Sequence, residues 1–470
     1  MAKENIPPSF STDEQILYQG NGTTDDPFVV EWLPDDPQNP MNFSSPKKWF
    51  ITSLVTLSVL AVTLTSSAYS GSASVLVAEF NTSRELISLG VSLFVLGFAI
   101  GPACWAPLSE IYGRRILFIT THAVVVAFVA ASAGANSIAS LLVFRFLAGT
   151  FGASPMTNSG WRWVEAVCAL FIALVWIAGT LFVPETYGPV IIKRRAASLA
   201  KSTGKVYVSN LDKNKPNIRP SEILKRTLAR PWVLLFCEPI VLIASTYMAI
   251  LYGTIYMFLG AFSIVYQQER GWDAGTGGLS FLGLAVGMLF GLAYTILDNR
   301  RYARLGTSAT PESRLPPGMV GALALPVGMF AFAWTNGPDV HWAVSIALSA
   351  PFGFGCVGVF LSCFNYLMDS YTVYAATVLA ASAMLRSFFG AAFPLFVSQM
   401  YAALGIHWAS SIPAFLTLAC LPYPFIMYKF GSAVRSRCKY AQEAAEVMAR
   451  LQAQSLPPGH GHEGEEDNRQ

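Results

Sequence analysis

Apolar residues fill the chain in runs of about twenty, broken by short polar or basic turns. The runs fall near 49–71, 87–107, 115–134, 138–157, 161–183, 233–258, 276–297, 317–335, 340–365, 374–398 and 408–428. A helix of roughly 20 residues crosses the hydrocarbon core of a bilayer, so the pattern predicts an all-α polytopic membrane protein with about eleven apparent spans. Polar residues inside the runs keep helical spacing. Thr63, Ser66, Ser67 and Ser70 stand at i, i+3, i+4 and i+7, on one face. Such a stripe lines an aqueous cavity, or it bonds neighbouring helices and its own carbonyls; both readings stay open. Met248, Tyr252 and Tyr256 stack at i, i+4 and i+8. That aromatic face suits a bulky organic solute and suits bundle packing equally. Gly283, Gly287 and Gly291 form a ladder that lets two backbones approach, as do Gly353, Gly355 and Gly358.

Outside the runs lie three polar stretches. Residues 1–47 are acid-rich and expected to be a disordered cytoplasmic tail. They lack the features of a signal peptide, so the first span, from about Trp49, is expected to act as an uncleaved insertion signal. Residues 188–230 form a middle loop with eleven Lys or Arg, among them Lys193, Arg194, Arg195, Lys225 and Arg226. Residues 431–470 begin with a surface helix over Tyr440–Ala453 and end in a disordered PPGHGHEGEEDNRQ. Basic residues favour the cytoplasmic side. The middle loop, Arg114-Arg115, Arg300-Arg301 and Lys429–Lys439 therefore mark that side, while the turns 134–137, 335–340 and 404–407, without Lys or Arg, face outward. Asn81-Thr82-Ser83 in the first outer loop is a glycosylation sequon.

Composition agrees: 53% of residues are hydrophobic and 13% charged, with a net charge of +3, where soluble proteins carry about a quarter charged residues. The seven cysteines show no metal-ligand spacing and read as small core residues. No Ser/His/Asp set, metal cluster or phosphate loop appears, so neither an enzyme nor a cofactor is expected, and no nucleic-acid partner. His122, inside a run, reads as a packed or hydrogen-bonded side chain. Ionisable groups in hydrocarbon are costly and stand out. Arg145 sits in LVFRFLAG, with Gly149 and Gly152 on its face. Arg386 shares a face with Ser382, Gly390 and Pro394, and Asn365 with Asp369. Both arginines point to function or a buried ion pair. Glu165, Glu238 and Asp369 lie close to helix ends, where snorkelling competes with a proton-carrying role.

These residues carry a resemblance to the major facilitator superfamily and, within it, to the fungal twelve-span drug:proton antiporter class. Leu108-Ser109-Glu110-Ile111-Tyr112-Gly113-Arg114-Arg115 resembles the loop motif after span two, and Arg145-Phe146-Leu147-Ala148-Gly149 the span-four arginine motif. Pro184-Glu185-Thr186-Tyr187 resembles the exit from span six, Glu238-Pro239-Ile240 with Tyr252-Gly253 span seven, and Arg386-Ser387 with Gly390–Phe396 span eleven. The resemblance implies two pseudo-symmetric helical halves, 48–187 and 231–430, in alternating access around a central site. It implies gating or coupling roles for Glu110, Gly113, Arg114, Arg115, Arg145 and Arg386. The substrate-cavity candidates are Thr63, Ser66, Ser67, Ser70, Tyr252, Tyr256, Asn365 and Asp369. It implies a monomer that exports small organic molecules (drugs, toxins, secondary metabolites) against protons, at the plasma membrane or, second, the vacuole. An importer or organic-acid carrier on this fold, and a non-transporting relic, are the alternatives.

The match breaks between Ser154-Pro155 and Trp161-Arg162-Trp163, where the class carries span five. Charge placement objects independently: five spans ahead of the basic middle loop put it outside, and six put it inside. A re-entrant segment, an inverted second half, or a sequence lacking one helix through a missed or wrongly spliced exon would each account for this. The last is the expectation adopted.

Overall fold

The computed structural model describes residues 18–33, 36–71, 73–151, 161–209, 220–272, 274–337 and 339–455. Side chains at 62–75, 102–104, 149–168, 220–228 and 448–455, and at some single positions including Glu110, are outside that description. The helices are α1 (Ser45–Gly71), α2 (Ala73–Phe80), α3 (Arg84–Tyr112), α4 (Arg114–Ala133), α5 (Ile138–Phe151), α6 (Trp161–Phe182), α7 (Gly188–Thr203), α8 (Pro220–Cys237) and α9 (Pro239–Phe262). They continue with α10 (Ala274–Gly278), α11 (Leu282–Arg304), α12 (Pro316–Thr335), α13 (Trp342–Leu348), α14 (Ala350–Ser370), α15 (Ala375–Cys420), α16 (Pro422–Arg435) and α17 (Lys439–Ser455). Two compact units divide the chain, Met1–Ala229 and Arg230–Gln470.

Among the described residues each predicted apolar run is largely helical, run 138–157 being described as far as Phe151, with boundaries set by local chemistry. Run 233–258 is split by Glu238 into α8 and α9, and run 340–365 into α13 and α14. The last two runs form α15 and α16, with a turn at Gly405, whose φ of +72° suits glycine. Six segments among the described residues are long and apolar enough to cross a membrane, and the longest, Ala375–Arg435, holds both of those runs. Ser83 caps α3 by accepting from the Leu86 N–H at 3.3 Å. Asn81, the sequon residue, is exposed in the turn before it.

In the first unit α3 packs on α5, and α4 packs on α5 and α6. Phe94, Val125, Val129, Ala148 and Ile172 form its buried centre. In the second unit α9 packs on α15, and α14 packs on both α11 and α12. The rings of Phe258 and Phe352 stack there at 4.6 Å. Lipid chains are as apolar as leucine, so close backbone approach has to hold such helices together. The glycine ladder does this: a Cβ at Gly287 would run into the Ala350 carbonyl, and one at Gly291 would come within 2.7 Å of the Phe354 carbonyl oxygen. The outer face of α11 remains apolar, with Leu289 and Phe290 each 66% exposed.

Two expectations need correction. Part of the tail expected to be disordered is ordered: β1 (Phe28–Val30) pairs in parallel with β2 (Tyr207–Ser209), Phe28 opposite Tyr207. The middle stretch is also more than a loop, since it contains α7 and β2. A two-stranded ribbon is marginal alone. This one rests on Ile192, Ala196 and Leu199, which stand at i, i+4 and i+7 on α7 and are buried with Tyr18, Val30 and Tyr207.

Candidate functional site

The turn between α3 and α4 is built around a residue outside the candidate set. Gly113 has φ +94° and ψ 158°, a conformation open to glycine almost alone. The turn leaves the first N–H groups of α4 without helical partners. The Glu185 carboxylate fills them, accepting from Arg114 N at 3.0 Å and Arg115 N at 3.3 Å. It also accepts from Thr186 N at 3.0 Å and Tyr187 N at 2.9 Å. A negative group at a helix N-terminus is favoured by both hydrogen bonds and the helix dipole. Arg115 Nη2 donates to the Thr180 carbonyl at 3.2 Å, and Arg114 lies over the Tyr187 ring. From α7, Arg194 Nη2 donates to the Tyr112 carbonyl at 3.2 Å. The acid that holds this turn is thus Glu185. The Glu110 side chain lies outside the described residues.

Arg195 on α7 pairs with Asp36 at 2.5 Å, both side chains being nearly covered. Burial alone would lower the Arg195 pKa, but the hydrogen bond and charge of Asp36 outweigh it and hold the guanidinium above its ordinary value.

Arg145 is 1% exposed. Its Nε donates to the Gly90 carbonyl of α3 at 3.2 Å, and its guanidinium lies 5.1 Å from the Phe94 ring. This arrangement anchors a permanent charge inside an apolar bundle. His122 is hydrogen-bonded, as expected: Nε2 meets Ser58 Oγ at 2.5 Å and Nδ1 meets the Phe118 carbonyl at 3.1 Å. The stripe Thr63, Ser66, Ser67 and Ser70 lies on α1, but its side chains, like that of Glu165, fall outside the described residues, as does the 154–160 junction.

In the second unit Tyr252 and Tyr256 of α9 meet, hydroxyl to hydroxyl, at 3.3 Å. Arg386 of α15 lies 5.3 Å from the Tyr252 ring and 5.0 Å from Phe360 of α14. Three sequence candidates therefore converge. Asp369 does not join them. Its carboxylate takes Arg314 Nε at 2.8 Å and the Tyr302 hydroxyl at 3.0 Å, which makes it half of an ion pair instead of an open cavity group. Asn365, one turn earlier, is half-buried. Glu238 is neither snorkelling nor open: it is 1% exposed. It accepts from the Tyr371 hydroxyl at 2.8 Å and from Tyr440 N at 3.0 Å, tying the start of α17 to the α8–α9 break. Burial, and then the Glu238 carboxylate, push the neighbouring Cys438 thiol up to about 11. Among the described residues no three His, Cys, Asp or Glu side chains gather as metal ligands.

Comparison with known proteins bears on the whole chain. The family model described as Major Facilitator Superfamily matches residues 55–159 and 155–394, in two pieces that meet at the junction singled out above. The major facilitator-type transporter sorT of Penicillium rubens is 56% identical, over 96% of each chain. The MFS-type efflux pump MFS2 of Trichophyton rubrum is 52% identical, over 92% of this chain and 81% of its own. The multidrug transporter mdrA of Aspergillus fumigatus is 48% identical, over 96% and 83%. Among solved structures, the proton:xylose symporter XylE superposes with a TM-score of 0.57 at 16% identity, covering 83% of this chain and 96% of that one, which speaks for the fold. The sorT alignment has 500 positions, against about 451 residues of this chain within it, so about 49 positions have no counterpart here. With a family model spanning most of its spans and relatives above half identity over nearly its full length, the chain belongs to the major facilitator superfamily of membrane transporters.

Proposed function

We propose that the protein is a proton-driven carrier that exports small organic molecules by alternating access, at the plasma membrane or, second, the vacuole. Buried Arg145 is the observation that carries the coupling: a permanent cation held in a span against Gly90 O and Phe94. An arginine does not release its proton at working pH. Its part is to fix a charge that proton binding elsewhere must balance. Export is supported by relatives whose names call them an efflux pump and a multidrug transporter. The Gly113 turn held by Glu185, with Glu110, Arg114 and Arg115, is the gating element in this reading.

Expression in yeast stripped of its own drug exporters tests it. Cells should accumulate less of at least one organic toxin, and a protonophore should restore accumulation. Arg145→Ala should abolish the effect at equal surface level. Protonophore-insensitive export would remove the coupling.

A second reading concerns this form of the chain. The roughly 49 unmatched positions are enough for one span with its loops, and the family match divides at 155–159, where the motifs break. In that reading the working protein carries a further helix after Ser154. Sequencing the message across codons 150–165 tests it; a single continuous message would remove the splicing explanation.

A further inference from the structure

Among the described residues, four partly or fully buried arginines have an evident partner. Arg195 has Asp36, Arg314 has Asp369, and Arg435 has Glu312 at 3.3 Å. Arg145 has the Gly90 carbonyl. Arg386 differs. Among the described residues no carboxylate pairs with it. Its Nε is shut off from solvent without a hydrogen-bond partner, as is that of Arg195, but the Arg195 guanidinium has Asp36 on Nη1. One turn earlier on the same face of α15, the Ser382 hydroxyl is buried and equally unpartnered. What surrounds the guanidinium is aromatic: Tyr252 and Phe360, with Tyr256 beside Tyr252. Ring faces offset part of the desolvation of a cation, but they supply no acceptor for its N–H groups.

We propose that Arg386 and Ser382 receive the acidic group of an organic anion whose aromatic or apolar body lies along Tyr252, Tyr256 and Phe360. This names the substrate class and rests on the reading of the chain as a solute carrier. The argument is one of complementarity. The cluster offers N–H and O–H donors around one fixed positive charge, and among the described residues no negative group balances it. A carboxylate or enolate oxygen is the missing acceptor, and a guanidinium binds it through charge-assisted hydrogen bonds. A cationic solute would meet an unscreened like charge at low dielectric. A small inorganic anion would leave the ring faces unused.

The test uses the purified full-length chain in a non-ionic detergent. The probes are 1-naphthoic acid at pH 7, where its carboxyl is ionised, its methyl ester, and 1-naphthylmethylamine, with binding read by equilibrium dialysis. The parent should hold the acid about tenfold or more tighter than either analogue, the size of one charged hydrogen bond. Arg386→Gln should lose that preference, and Ser382→Ala should weaken binding of the acid by a smaller factor. Equal binding of acid and ester by the parent, no binding of the acid, or a preference that survives in a folded R386Q would each overturn the proposal. If R386Q does not fold, the parent's preference and the S382A loss decide it. Binding is read without transport, so the two readings separate. Selective binding without export would count against the carrier function alone, and export without selectivity against this site alone.

Discussion

Two residues far apart in sequence, Gly113 and Glu185, make one turn. Gly113→Ala places a Cβ in a conformation that costs about 1–3 kcal/mol and drives it into the Glu185 carboxylate. The unfolding midpoint in detergent should fall, and more so than for alanine at an exposed helical position. Glu185→Ala strips the acceptor from four N–H groups. A loss of about 1–3 kcal/mol is expected, with Glu185→Asp in between; an unchanged midpoint would deny the carboxylate its part. Gly113, Arg114 and Arg115 were legible as a motif because their types and spacing are local. Glu185 was visible only as part of Pro184-Glu185-Thr186-Tyr187, since nothing at one position announces an unfilled helix end 70 residues away. Arg386 with Tyr252 and Tyr256 was legible as three separate candidates. The pairing of Asp369 with Arg314 was not legible, because the two lie 55 residues apart and meet only in the folded chain.

The helices tell a similar story one level up. Hydrophobic runs of span length gave away α4, α6 and α12 to within a residue and α1 and α3 to within five, while α11 begins and ends six or seven residues later than its run. The α7–β1–β2 module escaped because its apolar stripe, Ile192, Ala196 and Leu199, sits among eleven basic residues and its strands are three residues each. Its signal was the i, i+4, i+7 spacing together with the β-branched Val29-Val30. Asp36→Ala leaves Arg195 buried and unpaired, a loss of about 3 kcal/mol by the behaviour of buried pairs. Trypsin should then cut faster around Lys201 and Lys205 than in the parent. The α17 helix is held at its start by Glu238. With the Cys438 thiol pushed up to about 11 and only 3% exposed, a maleimide at pH 7.5 should label it slowly. Glu238→Gln removes the charge that raises this pKa and weakens the hold on Tyr440 N, so labelling should accelerate; an unchanged rate would mean α17 is held by other contacts.

At the scale of the whole molecule the question is whether 470 residues make a complete carrier. Eleven apolar runs and a basic middle stretch that charge placement assigns inside leave one span wanting, the sorT alignment holds about 49 positions without a counterpart here, and the family match divides at 155–159. On the second reading, a version with a relative's segment inserted after Ser154 should export the toxin more strongly than the 470-residue form. Equal export by both would show that the shorter chain is sufficient. Membrane class and family were legible in the sequence alone. The cost of placing backbone and charge in hydrocarbon imposes long apolar runs and gathers Lys and Arg at their ends, and both are one-dimensional patterns. The tertiary structure alone decided which charges are satisfied. Glu185, Asp369 and Glu238 are bound to partners brought from distant segments, while Arg386 stands among aromatic rings with no such partner among the described residues. Hydrogen bonds act over about 3 Å, and only the folded chain sets which groups come that close.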